Sequence, residues 1–416
     1  MTRLRRLGAL LAAALVVGGC GGPPILANQP LSFPTPPSAT EPPARPADPI
    51  PIELPRDDGP HDRLTEWWYY TGHLTSHEFP AAHIYGFEAV IFRAERGGVP
   101  VAWASHLALT DENGRTFTYA QRSEIGPQAD RSPRAADGTP SGFDLQVSGL
   151  NPALIEHGAP PVAAAPWRLA GAGGTDHIEA ALSPEEAEAS GRAFGLSLDL
   201  RSTKPPALHD GDGFVDFMEA GSSYYYSRTR LTATGTLMLD GKALDVDGIA
   251  WFDHQWGDFI SVGGGGWNWF AINLSDGTDM TISDVVDASG STLVQYGTVV
   301  DPDGTARPLD TSNFGIGANN FPYWTSPRSG RIWPDHWSIY IGNATLGDMT
   351  LDLQATVQDQ ELDTRPTTGV VYWEGSHFVV GVRGFHFDDV TGEQVGGTPV
   401  SGDAYVEMTR YDAVAN

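Results

Sequence analysis

Between Asp247 and Phe270 the chain reads DGIAWFDHQWGDFISVGGGGWNWF, its densest gathering of groups able to do chemistry. Trp251, Trp256, Trp267 and Trp269 surround one imidazole, His254, and the acids Asp247, Asp253 and Asp258, while Gly263 to Gly266 turn the chain. Indole is costly to leave in water, and its N–H wants a partner when buried. A histidine and acids among such rings describe a mostly apolar pocket with a few polar groups, the usual make-up of a small-molecule site. The same residues also suit a packed corner between two sheets, with His254 a satisfied structural side chain.

The elements that must position these groups read as strands. In Thr65 to Leu74, Glu66, Trp68 and Tyr70 point one way and Trp67, Tyr69 and His73 the other, because strand side chains alternate. His83 to Phe92 is similar, with Glu88 and Val90 opposite Phe87 and Ala89, and Ser222 to Arg230 carries Tyr224, Tyr225 and Tyr226. Large aromatics on both faces leave neither face for solvent, so a barrel wall with a covered outer surface is expected. Glu66 and Glu88 stand in apolar surroundings, and an unpaired buried carboxylate costs several kcal/mol. Each therefore needs a partner, such as Arg93 or a tyrosine hydroxyl, or a raised pKa.

Short β-branched and aromatic runs recur through the rest of the chain, separated by Gly, Asn, Asp and Pro, which argues for an all-β protein. Asp240-Gly241 predicts a hairpin turn, and Ser183 with Glu186 predicts a capped short helix. The run His209 to Phe214 lacks the acids an EF-hand loop requires and reads as a turn. There is no nucleophile elbow, P-loop, dinucleotide fingerprint or zinc-spaced histidine pair. No cofactor and no metal are expected.

The chain begins with Arg3, Arg5, Arg6 and an apolar run from Leu7 to Val17, which reads as a signal peptide over 1–20. The run is too short to span a bilayer, which takes about 20 residues. It ends in Val17-Gly18-Gly19-Cys20, similar to a bacterial lipobox, and Cys20 is the only cysteine. A lipidated Cys20 is expected to hold the protein to a membrane outside the cytoplasm. Gly21 rather than Asp after it favours the outer membrane of a Gram-negative cell. A proline-rich tether is expected over 21–60. The formal charge of −27 disfavours nucleic acid, whose phosphates need a cationic surface.

EWWYYTGHL at 66–74, GFEAVIFR at 86–93, SHLALTD at 105–111, SYYYSRTRL at 223–231, WFDHQWG at 251–257, GWNWFAINLSDGT at 266–278 and YWEG at 372–375 together resemble the AttH-like, hydroxyneurosporene synthase-like (carotenoid hydratase-like) group. The resemblance covers about 62–413. It implies two consecutive lipocalin-like β-barrels packed together, here 61–257 and 258–413. It further implies a catalytic set of His254, Trp256 and an acid, with Asp253 and Glu66 as candidates, and Asn268 standing where many relatives have Asp. Trp68, Tyr70, Tyr225, Trp251, Trp267, Asn268 and Trp269 are the expected ligand-binding residues, with His254 at the seam shared by the barrels. Three functions follow as expectations: a carrier of a lipid, isoprenoid or polyketide-like molecule; a cofactor-free hydratase, isomerase or hydrolase; or an envelope scaffold with a filled interior.

Overall fold

The computed structural model describes residues 47–78, 81–217, 221–259, 265–287, 291–309, 311–318, 323–342, 347–388 and 391–410. Cys20, the signal peptide, most of the expected tether, and Gly263 and Gly264 lie outside the described residues.

The chain folds into two large antiparallel sheets. The first contains β1 (Thr65–Ser76), β2 (His83–Ala94), β3 (Ala102–Asp111), β4 (Thr116–Ile125), β5 (Phe143–Gly149), β6 (Val162–Ala172), β7 (Thr175–Ala181) and β8 (Phe194–Ser202). Two short strands, β9 (Ala207–Leu208) and β10 (Phe214–Asp216), precede the long β11 (Ser222–Leu239) and β12 (Lys242–Gly257). Its strand path runs β4-β3-β2-β1-β12-β11-β8-β7-β6-β5. An Arg122–Leu150 bridge brings the two ends of this path together, so the sheet is a nearly closed barrel.

The second sheet begins with β13 (Gly266–Leu274), β14 (Asp279–Val286), β15 (Thr292–Val300), β16 (Ala306–Pro308) and β17 (Phe314–Gly317). After a small hairpin, β18 (Tyr323–Thr325) and β19 (Ile332–Pro334), it continues through β20 (His336–Ile341), β21 (Asp348–Ala355), β22 (Glu361–Asp363), β23 (Val371–Phe387) and β24 (Gln394–Arg410). The path is β16-β15-β14-β13-β24-β23-β21-β20-β17, wrapped around its own apolar core. The expected pair of lipocalin-like β-barrels is the architecture observed.

Local chemistry explains the joints. The β11–β12 hairpin turns at Asp240 and Gly241, both with positive φ (49° and 81°), as an Asp-Gly turn requires. The helix α1 (Pro184–Ser190) carries the expected capping box of Ser183 and Glu186. Glu186 then pairs with the buried Arg122 at 2.7 Å, tying the helix to the barrel wall.

Alternation along the strands separates two apolar layers. Trp68, Tyr70, Phe87, Ile91, Tyr224, Tyr226, Phe252 and Trp256 fill the first barrel. Their neighbours Tyr69, Val90 and Trp251 face outward and pack on Trp269, Ala271 and Tyr405 of the second sheet. The outer wall of one barrel is thus the floor for the other, which is why both faces of these strands are aromatic.

The tether expected over 21–60 does not extend to its end. Residues 56–58 form a 3-10 turn with Asp57 and Asp58 buried. Asp58 reaches into the barrel, where Arg228 Nη2 lies 2.6 Å from its carboxylate and the Tyr226 hydroxyl donates to it. A buried guanidinium needs a counter-ion, and this proline-rich segment supplies it.

Candidate functional site

Register across three strands builds a cluster inside the first barrel. Trp68 stands opposite His254 and Glu66 opposite Trp256 between β1 and β12, while Tyr226 stands opposite His254 between β11 and β12. The His254 ring stacks on Trp68 at 4.7 Å and is tilted against Trp256 at the same distance. Its Nε2 lies 3.0 Å from Glu66 Oε1, and Nδ1 has no partner among the described residues. His61 approaches from the segment before β1: its ring is parallel to Trp256 at 4.0 Å and its Nδ1 lies 2.7 Å from Glu66 Oε1.

Burial and partners set the charges in this cluster. Burial would raise the Glu66 carboxyl, but His61 and His254 hold it at about 2. Burial also lowers the His254 pKa, with Glu66 only partly opposing. Donor atoms of His61, Glu66 and His254 lie within 4.8 Å of one another, a histidine–carboxylate set of the kind that binds zinc. One oxygen of Glu66 receives both rings, while His254 Nδ1 is left over.

The hollow lies elsewhere, on the outer face of the same strands. A cavity of about 120 Å³ opens between the barrels, walled by Trp67, Tyr69, Phe92, Trp267, Trp269 and Tyr372. It is somewhat smaller than the apolar cavity of about 150 Å³ that takes up benzene but is partly open, so the part of a ligand it would enclose is a ring or the branched end of a hydrocarbon chain. Trp67, Phe92 and Trp267 are half-buried near its mouth, while Tyr69 and Trp269 are buried.

Carboxyl groups line this apolar space. Asp253 accepts hydrogen bonds from Tyr225 Oη at 2.5 Å, from Trp251 Nε1 at 2.6 Å and from the Ser227 hydroxyl. Burial nevertheless pushes it up to about 6. Glu374 and Glu407 face each other across β23 and β24. Burial raises Glu407 to about 7 and, with Glu407 beside it, raises Glu374 well above the carboxyl range. Among the described residues, neither Glu374 oxygen has a partner, and nor does the Tyr69 hydroxyl. Behind Tyr372, whose hydroxyl donates to Glu88 at 2.9 Å, burial lifts Glu88 to about 8. His106, 2.6 Å from the same hydroxyl through Nδ1, is lowered to about 3 by burial and stays neutral.

The expected site residues therefore divide. Asp253, Tyr225, Trp267 and Trp269 line the seam cavity, and Trp251 braces Asp253 from behind. His254, Trp256, Glu66, Trp68 and Tyr70 do not lie at the seam. They point into the filled interior of the first barrel, because β1 and β12 turn their even-numbered residues inward here. Asn268 points into the second barrel, where its side chain donates to Asp284 at 3.1 Å. Glu66 has the expected Arg93 at 3.8 Å, but its close partners are the unexpected pair His61 and His254, and its pKa is lowered rather than raised. Glu88 has both the tyrosine hydroxyl and the raised pKa.

Sequence reasoning missed Glu374, Glu407, Tyr69 and Tyr372 as pocket groups. A signal was present for Glu374, a carboxyl between Trp373 and Gly375 in an apolar strand, which calls for the reasoning applied to Glu66 and Glu88.

The sequence profile of the AttH-like family matches residues 45–411. A solved structure of a protein from Nitrosomonas europaea assigned to AttH is similar, with TM-score 0.65 and 23% identity, covering 87% of this chain and 98% of that one. Kievitone hydratase from Nectria haematococca is similar with TM-score 0.56 and 13% identity, over 87% and 94% of the two chains. CghA, solved with Sch210972, is similar with TM-score 0.50 and 12% identity, over 83% and 88%. No curated protein matches the chain by sequence.

Proposed function

This chain belongs to the AttH-like family, and from that premise we propose that it binds a hydrophobic small molecule in the pocket between its barrels. The ligand is a lipid, isoprenoid or polyketide-like compound, and lipidated Cys20 holds the protein to a membrane outside the cytoplasm. The observation that carries this reading is the aromatic-walled seam cavity, where a buried carboxyl group and a buried hydroxyl have no partner among the described residues. Buried polar groups are almost always hydrogen-bonded, so a ligand is the natural partner for them. The interior of the first barrel is packed with its own aromatic side chains.

The test is organic extraction and native mass spectrometry of the full-length protein purified from its own envelope, beside a Trp267→Ala, Trp269→Ala double variant. A co-purifying apolar compound retained by the wild type and lost by the variant is expected. Equal retention by both proteins, or an empty wild type whose tryptophan fluorescence no apolar compound moves, overturns the reading.

A second reading is favoured by the carboxyl groups. A carboxylic acid kept protonated in an apolar pocket can donate a proton, and aromatic faces attract the cation that forms. Asp253, Glu374 and Glu407 stand ready for cofactor-free acid catalysis, such as protonation of an alkene followed by addition of water. The similarity to kievitone hydratase is consistent with this reading, though at 13% identity it speaks for the fold. Turnover of an extracted ligand, lost on Glu374→Gln with binding retained, separates enzyme from carrier.

A further inference from the structure

The seam pocket holds more acid than an apolar ligand explains. Glu374 and Glu407 sit on directly opposed positions of β23 and β24, where Cβ atoms lie about 4.5–5.5 Å apart. Like charges so placed destabilise a sheet unless something intervenes. Glu88 adds a third carboxyl behind Tyr372, and one of its oxygens also lacks a partner. Asp253 stands at the other side of the cavity.

Among the described lining residues the counter-charge is poor. Arg96 is the one arginine, there is no lysine, and Arg96 is already committed to the carbonyls of Leu64 and Glu95. His106 is neutral and faces Tyr372 and Thr367. Neither answers Glu374. Around the acids stand the faces and edges of Trp67, Phe92, Trp267 and Trp269, and such rings attract a cation within about 6 Å of their centroids.

We infer that the pocket recognises a ligand whose apolar body ends in an ammonium group, with Glu374 as its direct partner, Glu407 beside it, and the tryptophans around its carbon atoms. The inference rests on the reading of the seam as a ligand site and names the chemical class of that ligand. A protonated primary amine brings three donors and one positive charge. The two oxygens of Glu374, without a partner among the described residues, would be left unpaired by a hydrocarbon. An ammonium draws the proton off Glu374 as it binds, whereas a ligand ending in a carboxylate would bring a buried negative charge with no cation to pair it.

Three small probes of nearly equal shape decide the question: 2-phenylethylammonium, 2-phenylethanol and 3-phenylpropanoate, titrated into the full-length protein with calorimetry and tryptophan fluorescence. The ammonium is expected to bind at least about tenfold more tightly than the alcohol, a ratio that corresponds to about 1.4 kcal/mol, and the carboxylate not to bind. Glu374→Gln, which keeps shape but cannot ionise to pair with the cation, should abolish that preference while alcohol binding persists. Glu407→Gln should weaken it, and a matching far-ultraviolet spectrum shows that both variants fold. Equal binding of ammonium and alcohol, or a preference that survives Glu374→Gln, overturns the ammonium assignment while the pocket stands. Binding of none of the three sinks the pocket reading together with it.

Discussion

The raised carboxyl groups make a quantitative forecast about stability, and Glu88 states it most cleanly. Burial moves its pKa from 4.5 to about 8, against the hydrogen bond from Tyr372 and with Glu407 adding to the rise. Between those two values the folded protein holds a proton that the unfolded chain has released. Stability therefore falls as pH rises, and the loss is complete only above the folded pKa. Integrated from pH 6.5 to 8.5, this one group costs about 2 kcal/mol. Glu374, raised by burial and by Glu407, and His61, raised against its burial by Glu66 and Asp57, also titrate as pH rises, but they do so in wild type and variant alike. His106, His209 and His377, each held near 3 by burial, subtract stability only as pH falls below about 6.5. Glu66, held at about 2, and Asp57, held against its burial well below the usual carboxylate range by His61 and Arg56, act only in acid. Glu407 contributes a smaller loss up to about 7 in wild type and variant alike. Glu88→Gln keeps an acceptor for the Tyr372 hydroxyl and removes the titration. Urea unfolding at both pH values should show the wild type losing about 2 kcal/mol more than the variant across the window. If both proteins lose the same amount, Glu88 is not the buried neutral acid described here.

Other substitutions probe the remaining parts. His254→Ala removes a ring packed between Trp68 and Trp256 together with the partner of Glu66, and should cost about 2–4 kcal/mol in urea unfolding. It should leave seam-ligand affinity unchanged, since that side chain faces away from the cavity; lost affinity with unchanged stability would place it at the site. Arg228→Met leaves Asp58 buried without its counter-ion and should cost about 3–5 kcal/mol, read as a drop in urea midpoint. Gly86→Ala would place a methyl carbon 2.9 Å from Ser376 Cβ and the Tyr405 hydroxyl of the second barrel. Overpacking of that kind costs about 1–3 kcal/mol, and faster proteolysis between the barrels should report it.

Alternation told which residues share a face of β1, β2, β11 and β12, and the two-sided aromatic pattern implied a covered barrel wall. It did not tell which face is inside. Period-two reasoning separates core from solvent only when one face is polar, and here both faces are apolar, so His254 and Asp253 were equally good candidates for the hollow. Their adjacency guarantees that one is right and the other wrong. The structure puts the imidazole in the filled barrel and the acid at the seam. Asp58 was hidden for another reason, because proline-rich composition argues for an extended tether whatever its last residues touch. The trace available in sequence was Arg228, a guanidinium in an aromatic strand that must find an anion. Glu374 and Glu407 are 33 positions apart and meet only through the register of the long β23–β24 hairpin, which no local pattern specifies. What each of them shares with Asp253 and Glu88 is a carboxyl set in an otherwise apolar strand. The histidine drew attention through its neighbours, but a strand that spends an acid among apolar side chains must pair it, neutralise it or present it to a ligand. At this seam the second and third of those outcomes coincide.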